Sequence, residues 1–445
     1  MLKRIVDFLT SLRLTVVCLA LAVVLVFVGT LAQVKIGLYD AQRDYFRSLL
    51  VWWGPAGADW KIPVMPGGYL LGGVVLVNLL AAHAKRFTLS RKKIGIFVTH
   101  AGLILLLLGQ LFSELFQVES YMRMEEGETH NYSESQLKHE LVFIDKSDPK
   151  QDHVVAIPDS LVAQKGEIND PALPFKVKVK DFYVNSSPML RAPTNSTPVL
   201  HAPDGTGQRV WIEENPKATA MDDADLPSAT IELADAKGPL GTWLVSRWFS
   251  DRVLIANVSK KFGPQWAKLV GPPQEFTHDG KTWQMGLRQT RYYKPYAFAM
   301  RKFHHDLYLG TDKPKNFASE VTLINPQTKE ERDVNISMNN PLRYGGETYF
   351  QGSFDPNNAR VTILQVVRNP AWLTPYIACT LVGGGLLIQF LMHLFEFIGR
   401  RNKGGSGNTR SEQPKASRKQ KAKSARATEE VATARLSTLK PRSNP

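Results

Sequence analysis

Four apolar stretches decide most of what this chain can become. They cover Leu14–Ala32, Tyr69–Ala82, Ile94–Phe116 and Ala371–Phe397. An α-helix rises 1.5 Å per residue, so about 20 apolar residues cross about 30 Å of hydrocarbon. The second stretch is short, but Gly67 and Gly68 before it and His83 and Ala84 after it bring it to length. Membrane helices are therefore expected at about 14–33, 67–84, 94–116 and 371–399. Lys3, Arg4 and Arg13 precede the first stretch, as basic residues precede a secretory signal. That stretch is too long for a signal core and no small-x-small cleavage site closes it, so an uncleaved helix is expected.

Lys and Arg crowd three places: the N-terminus, the turn holding Lys85, Arg86, Arg91, Lys92 and Lys93, and the end beyond Arg400. An even number of crossings puts all three on one face, and the positive-inside rule makes that face cytoplasmic. The chain then reads as a multi-pass protein of the bacterial inner membrane with both termini inside. Its formal net charge is +14. From Arg400 onward there are 13 Lys/Arg against 3 Asp/Glu, which accounts for about +10 of it. Residues 400–445 are rich in Ser, Ala, Gly and Pro and are expected to form a disordered basic tail. The rest of the chain is nearly balanced, which argues against nucleic-acid binding and leaves membrane lipid as a contact for the tail.

Residues 34–66 carry Tyr45, Phe46, Leu49, Leu50 and Trp53 against Asp40, Arg43, Asp44 and Arg47, an amphipathic pattern suited to a helix in the headgroup layer. Residues 117–370 differ in kind. Short alternating stretches such as Glu140–Ile144, Phe175–Val184, Ala229–Leu233, Thr282–Gln289 and Val361–Val367 are bounded by Gly, Pro, Asn and Asp. They predict an extracytoplasmic all-β domain, sandwich- or barrel-like and long enough for two subdomains, between the third and fourth helices. The 200–228 segment reads as a surface excursion. The fold class is membrane α plus all-β.

Phosphate loops, dinucleotide fingerprints, zinc-protease helices and nucleophile elbows are missing, which points to a non-catalytic or co-catalytic role. Cys18 and Cys379 lie far apart in apolar runs and read as packing residues. His100 stands out, about 10 Å into the third helix counted from Lys93. An ionisable group at that depth is costly and marks a site by default. A haem axial ligand, a proton relay and a hydrogen bond to a neighbouring helix all remain open. His83 and His393 sit at helix ends, where water reaches them. His304 and His305, like His130, His139 and His153, read as solvated surface residues rather than metal ligands.

Several segments are similar to a known family. Phe8-Leu-Thr-Ser-Leu-Arg-Leu14, leading into a helix that ends Gly29-Thr30-Leu31-Ala-Gln33, resembles the first helix of the ResB (CcsB) family. Asn78-Leu79 and His100-Ala-Gly fit it as well. The most specific resemblance is Asn339-Asn-Pro-Leu-Arg-Tyr-Gly-Gly-Glu-Thr-Tyr-Phe-Gln-Gly-Ser353 before the last helix. The resemblance implies a subunit of the system II cytochrome c haem lyase, paired with a CcsA (ResC) type membrane protein. Together they would carry haem b outward for attachment to apocytochrome c, with a thioredoxin-like protein reducing the acceptor thiols. It also implies that His100 is an axial ligand to haem iron. A scaffold that docks apocytochrome c without binding haem is the alternative. The partner's tryptophan-rich motif is absent, since Trp52-Trp53-Gly54 lacks its spacing and aspartate. For the Asn339–Ser353 block itself, the residues suggest turns and packing rather than catalysis.

Overall fold

The computed structural model describes residues 2–55, 60–85, 93–149, 151–190, 202–218, 224–310, 314–355 and 358–404. Arg86, Arg91 and Lys92 of the basic turn, part of the 200–228 segment and the tail beyond 404 lie outside them.

Among the described residues, four helices are long and apolar enough to cross a membrane: Leu12–Ile36, Gly68–Lys85, Ile94–Phe116 and Thr374–Gly404. Ser11 starts the first by accepting a hydrogen bond from the Arg13 N–H, and Gly37 ends it at a φ of 80° that favours glycine. The first and second helices share a small core of Cys18, Leu25, Val51 and Leu71. Gly29 is the seat in that core: a Cβ there would lie 2.7 Å from Phe46 Cζ. The 34–66 segment departs from the single amphipathic helix expected. A turn of helix at Leu38–Ala41 widens into a π-helical turn at Gln42–Phe46, and the chain then forms a hairpin of Leu50–Trp53 with Ile62–Pro66. Gly54 and Pro55 break the helical pattern, and only Val51 of its strand turns inward. Trp52, Trp53 and Trp60 are exposed, as an aromatic belt requires.

The described residues divide into two compact units, one from 1–88 with 100–382 and one from 89–99 with 383–404. In the larger, Gly102 of the third helix lies against Ala378 and Val382 of the fourth, and Gly109 against Thr374. In the smaller, Gly95 and Gly385 bring backbone against backbone. Small residues of this kind let membrane helices approach closely.

The β domain is built on one strand of 27 residues, Lys281–Leu307. It pairs with Thr129–Asp145 on one side and Pro314–Asn325 on the other. The pairing slips between Tyr293 and Phe298, where Pro295 has no N–H to give the ladder. The slip separates two cores. Before it, Trp283, Met285 and Leu287 face a four-stranded sheet of Gly238–Ser246, Ser228–Asp235, Lys176–Tyr183 and Gly166–Ile168, and pack on Phe143, Val177 and Ile231. After it, Tyr296, Phe298, Met300 and Phe303 enter a core with Met122, Leu323, Tyr349 and Leu364. Here the sheet rolls up, and the strands at the two ends of its path, Glu330–Ser337 and Leu342–Tyr344, follow one another through a turn with a Ser337–Asn340 bridge. The sandwich and barrel readings thus each describe one half. Two helices, Arg252–Phe262 and Gln265–Val270, interrupt the expected all-β order.

Candidate functional site

The second and third helices bring together two histidines that the sequence holds 17 positions apart. His83 and His100 have ring centroids 5.3 Å apart at an interplanar angle of 56°, and both are half-buried. The spacing follows from the turn between the helices. His83 is the third residue from the end of its helix and His100 the seventh of the next, so antiparallel neighbours set them at similar depth. Asn78, one turn deeper than His83, fixes the second helix against the first. Its amide donates to the carbonyls of Leu9 (2.6 Å) and Ser11 (3.2 Å), and its oxygen accepts from the Thr15 hydroxyl at 2.6 Å. Lys85 pairs with Asp7 at the same end. The polar atoms of Asn78 are thereby satisfied, which a membrane interior demands. The result is two imidazoles in contact near the ends of two apolar helices, the second of which Asn78 braces. His83, discounted from sequence because it sits at a helix end, belongs to this pair.

Among the described residues, the other histidines do not join it. His393 lies within hydrogen-bond distance of Gln389 (2.8 Å). His304 pairs with Glu320 at 2.8 Å, and His153 is exposed. His139 is buried beside Asp159, not solvated. His305 also departs from the surface reading: its ring sits among Phe317 and Phe354, 4.7 and 4.4 Å away between centroids. Among the described residues no cluster of three His, Cys, Asp or Glu suits a metal ion.

The Asn339–Ser353 block forms a tight hairpin, Leu342–Tyr344 with Glu347–Asp355. Gly345 has φ of 60° and faces the Tyr296 hydroxyl so closely that a Cβ would meet it at 2.6 Å. Glu347 then turns inward. Its Oε2 receives Lys294 Nζ at 2.6 Å, the Tyr349 hydroxyl at 2.7 Å and the Tyr296 hydroxyl at 3.1 Å. Burial pushes both tyrosine hydroxyls far above their usual range, so they serve as donors. The block packs and turns, and its acid is spent on the core.

A cleft of about 370 Å³ opens in the β domain, lined by Tyr121, Glu128, His130 and Glu134 on one side and Asp251 and Arg252 on the other. Arg291 lies over the Tyr132 ring at 4.1 Å and pairs with Glu134, while buried Arg247 holds Asp251 and Gln289. These residues come from segments over 100 positions apart, which is why sequence reading missed them. Burial holds the His130 pKa in this cleft below its usual value, and Glu128 at 3.4 Å only partly opposes that. The unfolded chain, titrating near about 6.5, then binds more protons than the fold just below that pH. Stability should fall as pH drops through this window. His130→Gln should flatten the loss in melts between about pH 5 and 7.5. An unchanged slope would contradict the assignment.

Two comparisons with known proteins bear on part of the chain. The ResB-like family matches residues 269–368, from the end of the Gln265–Val270 helix through the Asn358–Arg368 strand. Protein NrfI of Wolinella succinogenes is 33% identical over 97 residues, covering 22% of this chain and 11% of that protein.

Proposed function

We propose that this chain, whose residues 269–368 match the ResB-like family, serves cytochrome c biogenesis as a membrane subunit that takes up haem through His100. The observation that carries this reading is the His83–His100 contact between the second and third apolar helices. Neutral imidazole gives a ring nitrogen lone pair to iron, and a haem-sized apolar substrate suits a site reached through the bilayer. His100 is the axial ligand in this proposal. His83 orients it, as outer partners commonly orient metal-binding histidines. A CcsA (ResC) type partner would supply the opposite ligand and hand haem b to apocytochrome c.

The basic flanks set the direction. With Lys3, Arg4, Lys93, Arg400 and Arg401 in the cytoplasm, the histidine pair lies in the inner half of the bilayer and the β domain on the far side. Haem would enter at the pair and apocytochrome would wait by the β domain. Cys18 is buried and Cys379 is remote from it, so acceptor thiols would be reduced by a separate thioredoxin-like protein.

The test is to purify the chain with its partner and record haem spectra. His100→Ala is expected to lose most of the bound haem and to lower c-type cytochrome yield. His83→Ala should weaken haem retention by about tenfold. Normal haem content in His100→Ala would sink the ligand assignment and leave a scaffold that docks apocytochrome c.

A further inference from the structure

The hairpin block has an outer face that its buried network does not use. A groove of about 490 Å³ runs between that face and the first turn of the fourth membrane helix, lined by Arg343, Phe350, Val367, Trp372 and Tyr376 among others. Its level is set by the ends of two membrane helices. Asn369, in its floor, donates to Ser113 Oγ at 3.0 Å and Gln117 Oε1 at 3.1 Å, where the third helix finishes. The fourth helix begins five residues later, at Thr374. Trp372 and Tyr376 are 44% and 61% exposed, with Phe112, Leu115 and Phe116 exposed on the third helix alongside. Aromatic side chains at such a boundary mark the headgroup layer.

Arg343 is the unusual member. It is exposed, its guanidinium lies 3.9 Å from the Trp372 ring centroid, and among the described residues no carboxylate pairs with it. Glu347, the acid nearest in sequence, is already held by Lys294, Tyr296 and Tyr349. Stacking fixes the guanidinium plane and leaves its forked donors for an oxyanion. A positive fork at headgroup level above an apolar helix surface complements one kind of molecule. We propose that this groove binds the phosphate of an anionic phospholipid, whose acyl chains run down the exposed side of the fourth helix. The lipid would anchor the β domain at a fixed height on the bilayer, independently of the haem reading.

The experiment uses the full chain in mild detergent, with bound lipid counted by native mass spectrometry. Phosphatidylglycerol should be retained, and diacylglycerol, which lacks the phosphate, should not. Arg343→Gln should weaken retention by about tenfold, the scale of one lost charge-assisted pair. Trp372→Leu, which removes only the stacking surface of an exposed residue, should weaken it in the same direction. His100→Ala should leave it unchanged. Equal retention of phosphatidylglycerol by Arg343→Gln, or of diacylglycerol by the unaltered protein, would overturn the proposal. So would Arg343-dependent displacement of the lipid by haemin, which would make the groove a porphyrin carboxylate site.

Discussion

Lys294→Met should destabilise the β domain by about 3–5 kcal/mol, and adding Glu347→Gln should restore most of that loss. Lys294 keeps 3% of its side chain exposed and Glu347 15%, so neither charge has water to fall back on. With Lys294 removed, the carboxylate retains only two tyrosine hydroxyls as donors, and those lie in the rolled-up core. Neutralising Glu347 as well leaves an amide that still accepts from both tyrosines. The measurement is the denaturant midpoint of the full chain in detergent, followed by near-ultraviolet circular dichroism. Single and double variants of equal stability would show that the ion pair does not bind this core together. Glu347 lies in the block that most resembles the family, and its role here is structural. Glu347→Gln should therefore disturb stability before it disturbs haem content.

What the sequence disclosed followed from how local each signal is. An apolar run of about 20 residues has one inexpensive solution in a bilayer, since backbone groups must be satisfied within the segment. The four membrane helices were legible for that reason. Strands were legible where alternation was clean, as at Glu140–Ile144 and Val361–Val367, which lie within the observed strands Thr129–Asp145 and Asn358–Arg368. The length of Lys281–Leu307 was not, because Pro295 looks like a strand end unless the partner strand is known to slip there. The Arg252–Phe262 helix carried readable signals, an Asp251 cap whose carboxylate accepts from the Val253 and Leu254 N–H groups and a Gly263 stop, that strand spacing overshadowed. The His83–His100 contact was within reach of counting residues from the turn. Lys294 with Glu347, 53 positions apart, was not: long-range pairing leaves no periodic trace.

Phe298→Ala should cost about 3–5 kcal/mol and should lower both halves of the β domain in one transition. Phe298 is fully buried, packs against Tyr349 with centroids 4.7 Å apart, and meets Tyr296 edge to face at 5.9 Å. Removing the ring leaves a cavity in the rolled-up core that its strands cannot close without moving the Glu347 network. The strand that carries Phe298 also carries Trp283, Met285 and Leu287 into the sandwich core. Thr129–Asp145 follows it across both halves, with Phe143 in one core and Thr129 paired to Ala299 beside the other. Loosening one end of these shared strands withdraws ladder hydrogen bonds from the other end, so the cores should not melt apart. Of the nine tryptophans, Trp243 and Trp283 pack in the sandwich core and none belongs to the rolled-up core. The buried-tryptophan fluorescence change therefore follows the sandwich side, and a tyrosine-sensitive near-ultraviolet band includes Tyr296 and Tyr349. Coincident midpoints shifted together by Phe298→Ala are expected. Two separated transitions, with only the tyrosine signal displaced, would show that the Pro295 slip divides the domain into independent folding units.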